Sequence, residues 1–131
     1  YNHGIFAPDE VIRLFPRLEV KWEHKVHERP VCKLPKQKLS GILMHYTYDS
    51  WQQWLDKAGQ YTSIWAEDNF SKGKRVGKSA AFTHGIYGFI RAYFLQLGFL
   101  DGWAGLYSSL QHFFYTLLKY WKLYELQQKN K

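Results

Sequence analysis

The sequence predicts an α+β fragment in which short strands are followed by three amphipathic helices. Brief apolar-polar alternations interrupted by proline occupy the first third of the chain. An N-capping signal near residue 50 then opens a run of apolar residues at helical spacing. Glycine-bearing breaks divide the rest of the chain into further stretches of the same kind.

From Val11 to Val26 the alternations Ile12/Leu14, Val20/Trp22 and Lys25/Val26 are separated by Pro16 and a charged turn, the pattern of a hairpin or of two edge strands. Residues Glu28 to Ser40 contain Pro30, Pro35 and three lysines, which suits an exposed loop. Gly41 to Tyr46, with Ile42, Leu43 and Met44 in succession, reads as one buried strand.

Ser50 followed by Gln53 makes a capping-box pattern, and Trp51, Trp54, Leu55, Ala58, Tyr61 and Trp65 then recur on one helical stripe. That helix ends in Ser71-Lys-Gly-Lys-Arg-Val-Gly-Lys78, a basic connection that reads either as a solvated loop or as a contact for phosphates. A second helix spans about Ala80 to Leu97, with Ile86, Phe89, Ile90, Tyr93, Phe94 and Leu97 on its stripe. After Gly98 and Asp101-Gly102, a third runs from about Trp103 to Gln128. Its apolar face is made of Trp103, Leu106, Tyr107, Leu110, Phe113, Phe114, Leu117, Leu118, Trp121 and Tyr124, and Lys119, Lys122, Lys129 and Lys131 crowd its C-terminal end, where cations suit the helix dipole.

A length of 131 residues suffices for one core without disulfide help, and the single cysteine, Cys32, excludes an internal disulfide and fits a reducing compartment. Eighteen Lys and Arg against eleven Asp and Glu leave a formal charge of +7, which favours an anionic partner: nucleic acid, a phosphate-bearing substrate or acidic lipid. Aromatics make up 19% of the residues and concentrate beyond Tyr46. The longest uncharged stretch, 102–118, is shorter than a usual membrane-spanning helix and carries Gln111 and His112. The chain opens on Tyr1 with no signal-peptide pattern, as a piece of a longer protein would.

His24, His27, Cys32 and His45 supply metal-ligand types, but their spacing matches no zinc pattern and lacks paired Cys-x-x-Cys knuckles. No Ser-His-Asp ordering, Gly-rich phosphate loop or dinucleotide fingerprint is present, which leaves hydrolase, kinase and dehydrogenase readings without support. His27-Glu28 stands where a strand runs out into a loop, a usual place for a carboxylate that faces a substrate.

Four blocks occur in order: Arg13-Leu14-Phe15-Pro16-Arg17, Val26-His27-Glu28-Arg29, Leu43-Met44-His45-Tyr46-Thr47-Tyr48, and Gly98-Phe99-Leu100-Asp101-Gly102 with Leu118-Lys119-Tyr120-Trp121-Lys122-Leu123-Tyr124-Glu125. Together they resemble the C-terminal half of family 2 glycosyltransferases of the lipopolysaccharide core glucosyltransferase type. The resemblance implies a GT-A fold whose Rossmann-like N-terminal half binds a nucleotide sugar, UDP-linked in the expected case, through an Asp-x-Asp motif and a divalent metal, Mg or Mn. No Asp-x-Asp occurs here, so the chain alone is expected to be incomplete and inactive.

Residues 1–48 would then hold the acceptor-side strands and catalytic loop, and 49–131 a C-terminal helical region associated with a membrane surface. The resemblance implies Glu28 as the general base of inverting transfer, with His27 orienting it or touching the diphosphate. A solvated carboxylate is ionised at neutral pH and accepts a proton when placed within hydrogen-bond reach. Arg13, Arg17 and Tyr46 would contact phosphate or acceptor, and His45 the metal or the leaving diphosphate. The acceptor would be a lipid-linked glycan of the bacterial cell envelope, which implies a cytoplasmic enzyme peripheral on the inner face of the inner membrane. A stripe rich in Trp, Tyr and Phe flanked by lysines suits such a surface, and equally suits packing on the catalytic body. The alternative is a non-catalytic basic, aromatic module that binds membrane or nucleic acid. The aromatics follow helical periodicity rather than the alternation of an exposed sheet, which argues against base-stacking platforms.

Overall fold

The computed structural model describes residues 3–6, 12, 14–16, 18–23, 29–41 and 48–130. Two strands, β1 (Lys21–Glu23) and β2 (Arg29–Val31), precede three helices, α1 (Trp51–Ser71), α2 (Ala80–Ile90) and α3 (Gly102–Lys129). This is the expected α+β order.

The strands pair antiparallel with Lys21 opposite Val31, Trp22 opposite Pro30 and Glu23 opposite Arg29. β2 falls at the start of a segment whose prolines and lysines read as loop. A two-stranded ladder admits Pro30 because an antiparallel pair leaves alternate positions without hydrogen bonds, so the missing N–H costs nothing there. Phe15 meets Trp22 edge-on at 5.7 Å and ties the proline-bearing segment to β1. The strand expected at 41–46 lies, beyond Gly41, outside the described residues.

Helix α1 begins where the capping signal places it. Ser50 is extended and its Oγ accepts from the Gln53 N–H at 3.2 Å. The return bond shifts by one residue: Gln53 Oε1 accepts from the Asp49 N–H at 3.0 Å instead of from Ser50.

Both α1 and α2 pack on α3, which therefore carries the core. Its composition is mostly small, and the apolar stripes enter it only in part. The buried positions are Ala58, Thr62 and Ala66 on α1, Ala81, Gly85 and Gly88 on α2, and Gly105, Ser108, Ser109, Gln111, Thr116, Tyr120, Leu123 and Gln127 on α3. Large side chains of the stripes point away: Ile86, Ile90, Phe94, Leu110, Phe114 and Trp121 are exposed, and Trp103 is 85% exposed. Helical periodicity locates a face but does not say which face is covered. Here small residues let the backbones approach, and the bulky residues on the opposite side are displaced outward.

The approach is tightest where α2 turns toward α3. A π-helical turn, Arg91–Leu95, and a 3-10 turn, Gly98–Asp101, connect them, with Leu97 between them in the left-handed region at φ 58°. A Cβ on Gly98 would lie 2.7 Å from the Ala92 carbonyl oxygen, and one on Gly105 would overlap the Gly98 carbonyl. The N-terminal 3-10 turn Gly4–Phe6 docks on the same corner. The Gly4 N–H donates to the Gln96 carbonyl at 2.9 Å, and the His3 N–H donates to Asp101 Oδ2 at 2.9 Å.

His112 sits in the seam, its ring against Gly88. Burial, and secondarily the charges of Lys119 and Arg91, pushes its pKa below the ordinary 6.5. The unfolded chain therefore takes up this proton at higher pH than the folded one. Its contribution to stability is complete above 6.5 and declines as pH falls through the window below it. Urea unfolding followed across that window should show a shallower loss of stability in His112→Gln than in the wild type. At neutral pH, Gly105→Ala should lower stability by about 3 kcal/mol, because the obstacle is backbone that cannot rotate aside. Gly59→Ala meets open space in a helix interior and should raise it by roughly 0.5–1 kcal/mol.

Candidate functional site

The residues that sequence reasoning assigns to chemistry, Glu28, His27, Arg13, Arg17, Tyr46 and His45, all lie outside the described residues. What the structure describes is the framework on either side. Tyr48, just past His45-Tyr46, donates its hydroxyl hydrogen to Gln111 Oε1 at 2.8 Å, so the segment leaving that block is tethered to the middle of α3. Among the described residues no three of His, Cys, Asp and Glu converge as a metal site, so the divalent metal implied by the resemblance finds no ligand set there.

A basic and aromatic cluster does come together where the α1–α2 connection crosses α3. Gln127, buried on α3, clamps the connection at one residue: its Oε1 accepts from the Val76 N–H at 2.6 Å and its Nε2 donates to the Val76 carbonyl at 2.9 Å. The segment read as a solvated linker is thus largely exposed but anchored at Val76. Gly73, at φ +81°, makes the turn that brings it back. Arg75 lies over the Phe70 ring at 4.3 Å and donates to the Phe70 and Lys74 carbonyls at 3.2 and 2.9 Å.

The anchor holds Lys74 over two rings, 4.9 Å from the Trp65 centroid and 5.1 Å from that of Tyr120. Lys119 approaches the same rings from α3, at 5.0 and 5.7 Å, and Tyr115 at 5.8 Å. Trp65 and Tyr120 are in contact at 5.1 Å, and His84 stacks parallel on Tyr120 at 4.0 Å. Burial, with the neighbouring charge of Lys74, pushes the Lys119 pKa below its ordinary value. Beside the cluster a groove of about 450 Å³ opens between the connection and the end of α3. Arg75, Lys78, Tyr124, Gln127, Gln128 and Asn130 are among its lining residues, which include no carboxylate.

Lys122, one turn from the cluster, has a structural role. Its Nζ donates to the Gly59 carbonyl at 2.7 Å and to Thr62 Oγ1 and Ser63 Oγ at 2.9 Å each, so α3 is fastened to α1 by an ammonium with all three hydrogens used. The sequence reading grouped Lys122 with lysines serving the helix dipole. Helical spacing alone could have placed it one turn beyond Lys119 and Leu118, but not against α1.

No protein-family profile matches the chain, and no solved structure does. It is similar to proteins named uncharacterized glycosyltransferases in three rickettsiae. The identity is 33% over 93 residues for that of Rickettsia typhi (71% of this chain, 32% of the relative), 33% over 92 residues for that of Rickettsia prowazekii (70% and 32%), and 32% over 93 residues for that of Rickettsia felis (71% and 33%). The chain thus spans about a third of the length of the curated relatives it matches, and its similarity is to bacterial proteins that carry a glycosyltransferase name.

Proposed function

We propose that this chain is the C-terminal part of an inverting family 2 glycosyltransferase that adds a sugar from a nucleotide donor to a lipid-linked glycan acceptor of the lipopolysaccharide core type. The observation that carries the reading is the similarity, at a third identity over most of the chain, to glycosyltransferase-named proteins of which the matched segment is about a third. The ordered blocks around Arg13, Glu28, His45 and Asp101 support the finer assignment.

On this reading Glu28 accepts the proton of the acceptor hydroxyl as that oxygen attacks the anomeric carbon. The bond from that carbon to the nucleoside diphosphate breaks with inversion, and the diphosphate leaves with the electron pair. His27 orients the carboxylate, and Arg13, Arg17 and Tyr46 hold acceptor or phosphate. The donor nucleotide, UDP in the expected case, and the divalent metal, with His45 as a contact, belong to the junction with the Asp-x-Asp half.

The same proposal puts the enzyme on the inner face of the bacterial inner membrane. No helix among the described residues is long and apolar enough to cross a membrane. The outward residues of the α2–α3 corner, including Phe94, Leu95, Phe99, Leu100 and Trp103, instead form an apolar and aromatic surface of the kind that lies in an interface. Leu97 belongs to it, exposed in a left-handed conformation that costs a leucine about 1 kcal/mol and that glycine would adopt freely. The +7 charge complements anionic lipid. A non-catalytic membrane module would share this surface but not the glycosyltransferase similarity.

The intact protein, assayed for sugar transfer to a truncated core acceptor, should lose about a hundredfold to ten-thousandfold in rate on Glu28→Gln while folding and donor binding persist. Transfer at the wild-type rate would place the base elsewhere.

A further inference from the structure

We propose that Lys74 and Lys119, gathered over Trp65 and Tyr120, form a binding site for a phosphate group. The two ammoniums come from separate parts of the chain, the α1–α2 connection and the middle of α3, yet both hover about 5 Å from the same indole. Neither has a carboxylate partner among the described residues, whereas nearby Lys72 and Lys129 are paired with Asp68 and Glu125. Two like charges converging in a partly desolvated place repel, and ring faces offset only part of that. The depressed pKa of Lys119, lowered by burial and then by Lys74, registers the same tension.

The convergence is built rather than incidental. The Gln127 clamp fixes Val76, two residues beyond Lys74, through both of its backbone groups, and Gly73 turns the connection back toward α3. A phosphomonoester or diphosphate brings about two negative charges and several strong acceptor oxygens, which matches two ammoniums. The chemistry is shared by a soluble diphosphate and by the headgroup of an anionic lipid. The site stands independently of glycosyl transfer, since it is defined by binding alone.

The test uses the intact protein and two probes: inorganic pyrophosphate followed by titration calorimetry, and flotation with phosphatidylcholine vesicles with and without phosphatidic acid. Lys74→Gln, in an exposed connection, and Lys119→Gln should each weaken binding about tenfold. Lys119→Arg should retain it, and Lys36→Gln, in the exposed loop after β2, should leave it unchanged. Binding of pyrophosphate alone identifies a soluble diphosphate site, and dependence on phosphatidic acid alone identifies a headgroup site; either supports the proposal. The proposal is overturned if wild type binds neither probe, if the Lys74→Gln/Lys119→Gln double variant binds as wild type, or if Lys36→Gln loses as much as Lys74→Gln. Because both probes report binding, these outcomes are separable from loss of transfer in Glu28→Gln.

Discussion

The close approach of backbones along α3 is the constraint from which the rest of the architecture follows. Gly85 and Gly88 of α2 face the Phe113 and His112 rings of α3, and Gly98 and Gly105 meet where the connecting turns fold back. With small residues lining much of the seam, many of the bulky side chains of the same helices, Ile86, Ile90, Leu110, Phe114 and Trp121 among them, are turned outward. The buried positions are mostly glycine, alanine, serine and threonine, with Leu123 and Tyr120 of α3 the large apolar residues among them, an arrangement in which close packing and hydrogen bonds supplement apolar burial in holding the helices together. The Lys122 ammonium bonds and the Gln127 clamp are the polar counterpart of that seam.

The distribution of function follows from it. The seam and its fastenings give α3 a fixed relation to α1, to α2 and, through Tyr48, to the segment leaving the His45-Tyr46 block. One side of the unit then carries the lysine and aromatic cluster at the α1–α2 connection, and the outward residues of the α2–α3 corner carry an apolar surface. On the proposed reading these are complementary contacts for an enzyme whose acceptor is anchored in lipid: cations for phosphate and aromatics for the interface.

Much of this was legible in the residues. Ser50 and Gln53 marked the start of α1, Gly98 and Asp101-Gly102 marked the division between α2 and α3, and the helices end close to where their periodicity stops. The orientation of the helices was not legible, because a stripe of Ile86, Ile90, Phe94 and a facing stripe of glycine and alanine have the same period. What decides between them is whether a neighbour offers small residues in return, as Ser108, Ser109 and Thr116 do. Nor was the pairing of β2 legible, since Pro30 signals loop unless a partner strand leaves its nitrogen unbonded. The partners of Lys122 and Gln127 are some sixty and fifty residues away in sequence, beyond any local pattern. Of the candidate catalytic residues, the described part of the fold shows only the flanks, so Glu28 rests on its resemblance block.

The central claim is that the outward aromatic face meets a bilayer. The most direct measurement is quenching of single tryptophans, Trp103 in one variant of the intact protein and Trp65 in another, by brominated acyl chains in anionic vesicles. The account predicts strong quenching of Trp103, at the exposed start of α3, and little of Trp65, which lies beneath the two lysines. Equal emission of Trp103 with brominated and unbrominated lipid, in protein shown to be vesicle-bound, would contradict it and turn that face toward protein instead.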